Sequence, residues 1–283
     1  MPPFCITREL SMKILLFLAL VLSISGCAGA KIISANHCQF DAWINYSQHN
    51  QELRRHSQEN AYFVASTFVS INADGAPNAY HPKDVNKHCT RETHLGLDCL
   101  ANAHYPKGKW QQIIVPDPKA KTGFVQSSGK FKGYFVSQTA LVNPKIANVQ
   151  DTRRYVNANQ VPYAVFPRTL YKTKGTGYLG DLGMAINVNT GQAHAFVLAD
   201  IGGNQPMGEI SLALNRKLSG HQANARTGAG QVKDPLVFVI FPESSKQHPW
   251  PLTNKQIHQH ATKLFRSAGG KASVMNCLGD QQV

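Results

Sequence analysis

An α+β fold is expected for this chain: a single domain with a β-rich, barrel-like centre and a few peripheral helices. Three observations predict it. From Lys130 onward the chain carries short apolar runs bounded by Gly, Pro or Asn, at 133–142, 161–166, 184–188, 194–199 and 236–241. Runs of that length and punctuation suit strands. Two later stretches follow the 3.6-residue period instead: Ile210, Ala213, Leu214 and Leu218, then Ile257, Ala261, Leu264 and Phe265. There is also no internal repeat and no low-complexity linker to divide the chain.

With 42% hydrophobic and 16% charged residues, the 283-residue chain is neither disordered nor fibrous and can bury a sizeable core. Its N-terminus reads separately. Lys13 precedes an apolar run from Ile14 to Ile24, followed by Ser25, Gly26 and Cys27. A charged start, a short apolar stretch and small residues make an export signal over 1–26, too short to span a bilayer. Ile24-Ser25-Gly26-Cys27 is similar to a bacterial lipobox, which implies cleavage before Cys27 and lipid on its sulfur. The alternative is an ordinary signal peptide with an incidental cysteine. Met12 and Met1 both serve as possible starts. The expectation is an exported protein, lipid-anchored in the cell envelope, or secreted or periplasmic if Cys27 carries no lipid.

Residues 27–59 form an N-terminal segment, and 60–283 the main domain. Within 36–60, Phe40, Trp43 and Ile44 fall at helical spacing. Residues 61–71 read as a strand stopped by the turn Asn72-Ala73-Asp74-Gly75. A loop follows over 76–94, then a short apolar element at 95–101 and a strand candidate at 110–115. Asn189-Thr190-Gly191 should turn one strand into the next. The last helix opens with the capping-box spacing Thr253 and Gln256 and closes at Gly269-Gly270.

Four cysteines remain besides Cys5 and Cys27: Cys38, Cys89, Cys99 and Cys277. An even number in an oxidising compartment suggests disulfides. Of the three connectivities, Cys89–Cys99 closes a short loop and leaves Cys38–Cys277 to tie the two ends together. The spacings contain no CxxC or HxxxH, so no metal site is expected. There is no nucleotide loop, and no cofactor is implied.

Acidic residues number only sixteen. Two of them flank one strand-loop-helix element, with Asp200 ending an apolar run and Glu209 at the start of the Ile210–Leu218 period. Such a turn brings two carboxylates toward one cleft, as glycosidic hydrolysis requires. The same residues are also common there for local reasons, suiting a turn and a helix dipole. A helix start would lower the pKa of Glu209, so burial and Asp200 would have to overcome the dipole. Asp181, between glycines, is a candidate lining the same cleft or a turn former. Asp74 and Asp98 are candidates for binding an amino sugar or for structural roles. Tyr134, Tyr163 and Trp110 could stack on sugar rings or pack in the core. His194 reads as packing.

The string Leu198-Ala199-Asp200-Ile201-Gly202-Gly203, followed by Gly208-Glu209-Ile210-Ser211-Leu212-Ala213, resembles the signature of the glycoside hydrolase family 75 chitosanases. Gly133-Tyr134-Phe135-Val136-Ser137-Gln138-Thr139, Val161-Pro162-Tyr163-Ala164-Val165-Phe166-Pro167 and Leu179-Gly180-Asp181-Leu182-Gly183 are similar to family elements in the same order, over roughly 60–245. The resemblance implies an endo-acting, inverting hydrolase of glucosamine polymers, with Asp200 as general base and Glu209 as proton donor. Substrate binding falls to Asp181, Asp74 and Tyr163. The loop between the pair is shorter than in fungal members. An inverting arrangement would set the carboxyls about 6.5–9.5 Å apart.

The net charge of +13 becomes +12 once Arg8, Glu9 and Lys13 are removed with the signal. So basic a surface favours anionic partners, yet chitosan is a polycation. The alternatives are N-deacetylated peptidoglycan as substrate, or a non-catalytic, lipid-anchored glycan-binding module. A basic balance without a nucleic-acid motif does not make a nucleic-acid binder. The partners expected are therefore a polysaccharide and a membrane.

Overall fold

The structure is a computed structural model that describes residues 38–279. The signal at 1–26 and Cys27 lie outside the described residues. The strands are β1 (Phe40–Tyr46), β2 (Gln51–His56), β3 (Tyr62–Ser66), β4 (Ser70–Asn72), β5 (Tyr163–Phe166), β6 (Leu182–Asn187), β7 (Ala193–Ile201), β8 (Glu209–Ser211) and β9 (Leu236–Phe241). They form one nine-stranded sheet in the order β1-β2-β3-β9-β6-β7-β5-β8-β4. The helices are α1 (Arg168–Lys172), α2 (Leu212–Ser219), α3 (Ser244–Gln247), α4 (Asn254–Ser267) and α5 (Gly270–Gly279).

This is the expected α+β fold with a β-rich centre. One detail is corrected: β1 pairs only with β2 and β4 only with β8, so the sheet is open and is not a closed barrel. Pairing is mostly antiparallel, with parallel contacts at β5–β7 and β4–β8. The central strands β5, β6 and β9 are buried at every position, which explains why they read as continuous apolar runs. Helix α4 turns Ile257, Ala261 and Phe265 onto β6, β7 and β9. Its capping box is present: Thr253 Oγ1 accepts from the Gln256 N–H, and Gln256 Oε1 accepts from the Thr253 N–H.

The helix expected in 36–60 is instead the β1–β2 hairpin. A bulge between Ala42 and Ile44 breaks the two-residue alternation of β1. Phe40, Trp43 and Ile44 therefore mimic helical spacing while lying on a strand. These strands join the same sheet as the rest, so the described part of 27–59 belongs to the main fold.

The strand expected over 61–71 is two strands. Ser66 Oγ donates to the Phe68 carbonyl and accepts from its N–H, turning the chain between them. β3 then pairs in the sheet centre, while β4 crosses to its far edge beside β8. The strand candidates at 110–115 and 133–142 form a 3-10 turn at Trp110–Gln112 and isolated bridges such as Ile114 with Ser137.

Both expected disulfides are present. Cys38–Cys277 has Cα atoms 4.7 Å apart and Cys89–Cys99 has them 5.4 Å apart. Two disulfides are the mark of an oxidising, exported environment. Among the described residues, no helix is long and apolar enough to cross a membrane.

Candidate active site

At the β4 end of the sheet lies a cavity of about 880 Å³, within the range typical of ligand sites. One wall is the ends of β4, β8, β5 and β7. Another is the long connection 73–162, pinned by Cys89–Cys99. Four carboxyls line it: Asp74, Asp98, Asp200 and Glu209.

Glu209 opens β8 and lies two residues before the N-cap of α2, which is Ser211. The expected helix start at Glu209 is corrected, and the dipole objection goes with it, because the dipole effect fades beyond the first turn. Gly208 makes this placement possible. Its φ is +150°, and a Cβ there would overlap the Phe68 carbonyl, so β8 could not close on β4.

The Glu209 carboxyl is held at both oxygens. Asn72 Nδ2 donates to Oε1 at 2.7 Å and Gln205 Nε2 donates to Oε2 at 2.6 Å. Burial nevertheless pushes its pKa above the ordinary value, against these two bonds. The two donors differ in freedom. Asn72 Oδ1 accepts from Tyr163 Oη at 2.6 Å and from the Asp74 N–H at 2.7 Å, so its amide has one possible orientation. Gln205 Oε1 accepts no hydrogen bond among the described residues, so that amide is free to invert.

Asp200 lies near the end of β7. Its Oδ1 accepts from the Ala140 and Ile201 N–H groups, both at 2.9 Å. Its Oδ2 has no partner among the described residues. Burial pushes the pKa up to about 7; the backbone bonds oppose this and the Glu209 charge adds to it. The pair thus holds its charges in a poorly solvated site where each opposes ionisation of the other.

Asp98 is 4% exposed. Its Oδ1 accepts from the Cys99 N–H and Asn102 Nδ2, both at 2.7 Å. Burial pushes it up to about 6. Asp74 is raised well above the carboxylate range, first by burial and then by the Asp200 charge.

The other sequence candidates separate clearly. Asp74 lines the cavity, but Tyr80, Ser137 and Asn72 all donate to its carboxyl, so it supports the wall. Tyr163 is fully buried and does not face the cavity; it fixes Asn72 and is corrected from sugar contact to positioning. Asp181 does not line the cavity. It is buried and accepts from the N–H groups of Tyr178, Glu243 and Ser245 and from Ser245 Oγ, an anchor for the chain after β9. Trp110 packs on Tyr105, and Tyr134 Oη donates to the Leu95 carbonyl, so neither lines the cavity. His194 packs near His258.

Sequence reasoning missed Asn72 and Gln205. Asn72 read as a turn residue, which in part it is. Gln205 stands four residues before Glu209 in a Gly-rich loop, a polar side chain with no local turn role. That loop is itself clamped by the N-terminal strands. Gln51 Nε2 donates to the Met207 carbonyl at 3.1 Å, and Gln51 Oε1 accepts from the Met207 N–H at 3.0 Å.

Among the described residues, no three His, Cys, Asp or Glu side chains are grouped to hold a metal ion. No protein-family model matches this chain, and no curated protein matches it either.

Proposed function

We propose that this protein is an endo-acting glycoside hydrolase that cleaves β-1,4 bonds in glucosamine polymers with inversion, with Glu209 as proton donor and Asp200 as general base. The observation that carries the reading is the convergence of these two raised carboxyls on one open cavity. The motif resemblance to glycoside hydrolase family 75 supplies the reaction class.

The hydrogen bonds support distinct roles. A protonated Glu209 keeps both of these bonds, because a carboxyl hydroxyl oxygen still accepts while its own hydrogen points elsewhere. Asn72 and Gln205 therefore position the carboxyl, and its O–H is left to donate to the glycosidic oxygen. Asp200 keeps Oδ1 on two backbone donors that cannot invert. Its Oδ2 takes the proton of the water that attacks the anomeric carbon from the opposite face. Burial raises the pKa of both carboxyls, so Asp200 is a stronger base than an exposed carboxylate and Glu209 holds its proton to higher pH than an exposed one would.

The cavity also bears on the substrate. Only Lys109, Arg168 and His104 among its lining residues can carry positive charge, against four carboxyls. A sugar bearing a free ammonium group suits such a lining, and Asp98 is placed to meet it. Chitosan-like polymer and N-deacetylated peptidoglycan share that group. Cys27, if lipidated, would hold the enzyme in the cell envelope.

The test is release of reducing ends from both polymers. Glu209→Gln and Asp200→Asn should each lower kcat by about 10²–10⁴-fold. The first-formed product should carry the inverted anomer, read by NMR. A wild-type protein that releases no ends from either polymer overturns the hydrolase assignment, and full activity in Glu209→Gln overturns the site.

A further inference from the structure

A short loop stands between the acidic cavity and a second one of about 550 Å³. His104 lines both, so the two meet there. Of the residues that follow it, Lys109 lines the first cavity and Lys107 the second. The loop is firmly held. The Gly108 N–H donates to the His104 carbonyl at 2.7 Å, and a Cβ on Gly108 would overlap the His104 Cβ. Tyr105 packs against Trp110 and Phe135. His104, Lys107 and Lys109 are all exposed, and among the described residues none of their side chains makes an ion pair or a hydrogen bond. The loop thus places three cationic or donor groups at the junction of the cavities, and the fold itself uses none of them.

The two linings differ in charge. The first carries four carboxyls. The second carries one, Asp84, and that one is already satisfied: its Oδ1 accepts from Lys87 Nζ at 2.8 Å, and its Oδ2 accepts from the Leu95 and Gly96 N–H groups at 2.9 and 2.8 Å. Lys87 and Asp84 cancel, which leaves Lys107 with the imidazoles of His88 and His104. A cavity that offers donors and no unpaired carboxylate disfavours an ammonium group and suits an anion. Leu100 and Pro106 add apolar surface beside these donors, which suits an anion carried on a short hydrocarbon stem.

We propose that the second cavity holds a sugar carboxylate, so that the substrate is a glucosamine polymer with a lactyl carboxylate on alternate sugars, as in the glycan strand of N-deacetylated peptidoglycan, and not uniform chitosan. The proposal rests on the hydrolase reading and chooses between the two polymers that share the ammonium group. In such a strand ammonium and carboxylate lie on neighbouring sugars. The acidic cavity takes the first, and a strand that continues past His104 brings the second to Lys107. An exposed ion pair strengthens binding by up to about fivefold, so Lys107 together with an imidazole N–H gives on the order of tenfold. The contact is made away from the bond that is cleaved. It therefore acts equally on ground state and transition state, and appears in KM while leaving kcat alone.

The experiment uses three oligosaccharides of equal length: a peptide-free, N-deacetylated peptidoglycan strand with its lactyl carboxylates free, the same strand with each carboxylate converted to the methylamide, and a chitosan oligomer. Release of reducing ends gives kcat and KM on each, and calorimetry in the Glu209→Gln background gives Kd. The free acid should show KM and Kd on the order of tenfold below those of the methylamide, with kcat alike. Lys107→Gln should bring that ratio toward one, and Lys107→Arg, which keeps the charge, should preserve it. His104→Asn should lower the ratio as well; Asn tolerates the left-handed backbone that His104 adopts, with φ +57°. A thermal melt matching the wild type establishes that each variant folds. Equal Kd for acid and methylamide overturns the proposal, as does a Lys107→Gln protein that keeps the wild-type ratio. A chitosan oligomer bound more tightly than the free acid overturns the choice of polymer. Release of no ends from any of the three overturns the hydrolase reading instead, and the Kd ratio then still decides whether the second cavity holds the carboxylate.

Discussion

Replacing Asn72 with Ala removes the one donor to Glu209 that cannot invert. In the wild type, Nδ2 stands 2.7 Å from Oε1. A hydrogen bond to a charged acceptor contributes about 1.5–3 kcal/mol and one to a neutral acceptor about 0.5–1.5. The bond therefore favours the ionised form by about 1–1.5 kcal/mol, which is about one pKa unit. Its loss should raise the Glu209 pKa by that amount, on top of the rise already caused by burial. The sign for stability follows. A carboxyl with a raised native pKa binds its proton more tightly when folded, so stability falls as pH climbs from the unfolded pKa to the native one. In Asn72→Ala that fall extends to higher pH. A further loss of about 1–3 kcal/mol comes at every pH, because Tyr163 Oη and the Asp74 N–H lose an acceptor. The Glu209 side-chain carboxyl carbon Cδ, labelled with ¹³C, reports the titration without any assay of activity, and denaturant unfolding across pH reports stability. The alkaline limb of kcat should move up by the same unit. Tyr163→Phe should shift the titration less, because the Asp74 N–H still orients Asn72. A Glu209 pKa that stays put or falls in Asn72→Ala would refute the account of this network.

Three further outcomes are expected. In Glu209→Gln the Asp200 pKa should fall from about 7, since the neighbouring charge that raises it is gone; NMR titration of Asp200 checks this. Asp98→Asn should remove a pH-dependent loss of stability, because the native pKa is about 6 against an ordinary 3.8. The wild type should lose up to about 3 kcal/mol between pH 4 and 6 that the variant does not lose, measured by denaturant unfolding. Removing Cys38–Cys277 with two alanines should cost about 5 kcal/mol against about 3 for Cys89–Cys99, because the first closes a loop of 239 residues and the second one of 10.

The central strands were legible because they are buried on both faces, leaving unbroken apolar runs such as Leu236–Phe241. The α4 boundaries were legible from the capping box. The edges were not. A bulge gave β1 a false helical spacing, and the Ser66 turn split one apparent strand into two that lie far apart in the sheet. That split decides the site, since it carries Asn72 and Asp74 to Glu209. The acidic pair could be named because Asp and Glu are scarce and the motif is ordered. Asn72 and Gln205 could not, because their roles depend on contacts across 137 and 4 residues that no local pattern records. Tyr163 and Asp181 were misplaced for a related reason. Both lie in strings that resemble family elements, yet one orients an amide and the other anchors backbone N–H groups.

The conflict between a +13 chain and the proposed cationic substrate turns on where the charges lie. Four of the sixteen acidic residues meet in one cavity, and burial raises the pKa of each, that of Asp98 to about 6 and that of Asp200 to about 7. The stretch from Ser244 to Gly279 has no acidic residue at all. Coulomb attraction between exposed charges is screened beyond about 10 Å at moderate salt. A sugar in the cavity therefore responds to the carboxyls around it and hardly to the net charge. Raised salt should therefore leave hydrolysis of a soluble glucosamine oligosaccharide nearly unchanged, measured as release of reducing ends; a steep loss of rate with salt would refute this account of the cavity.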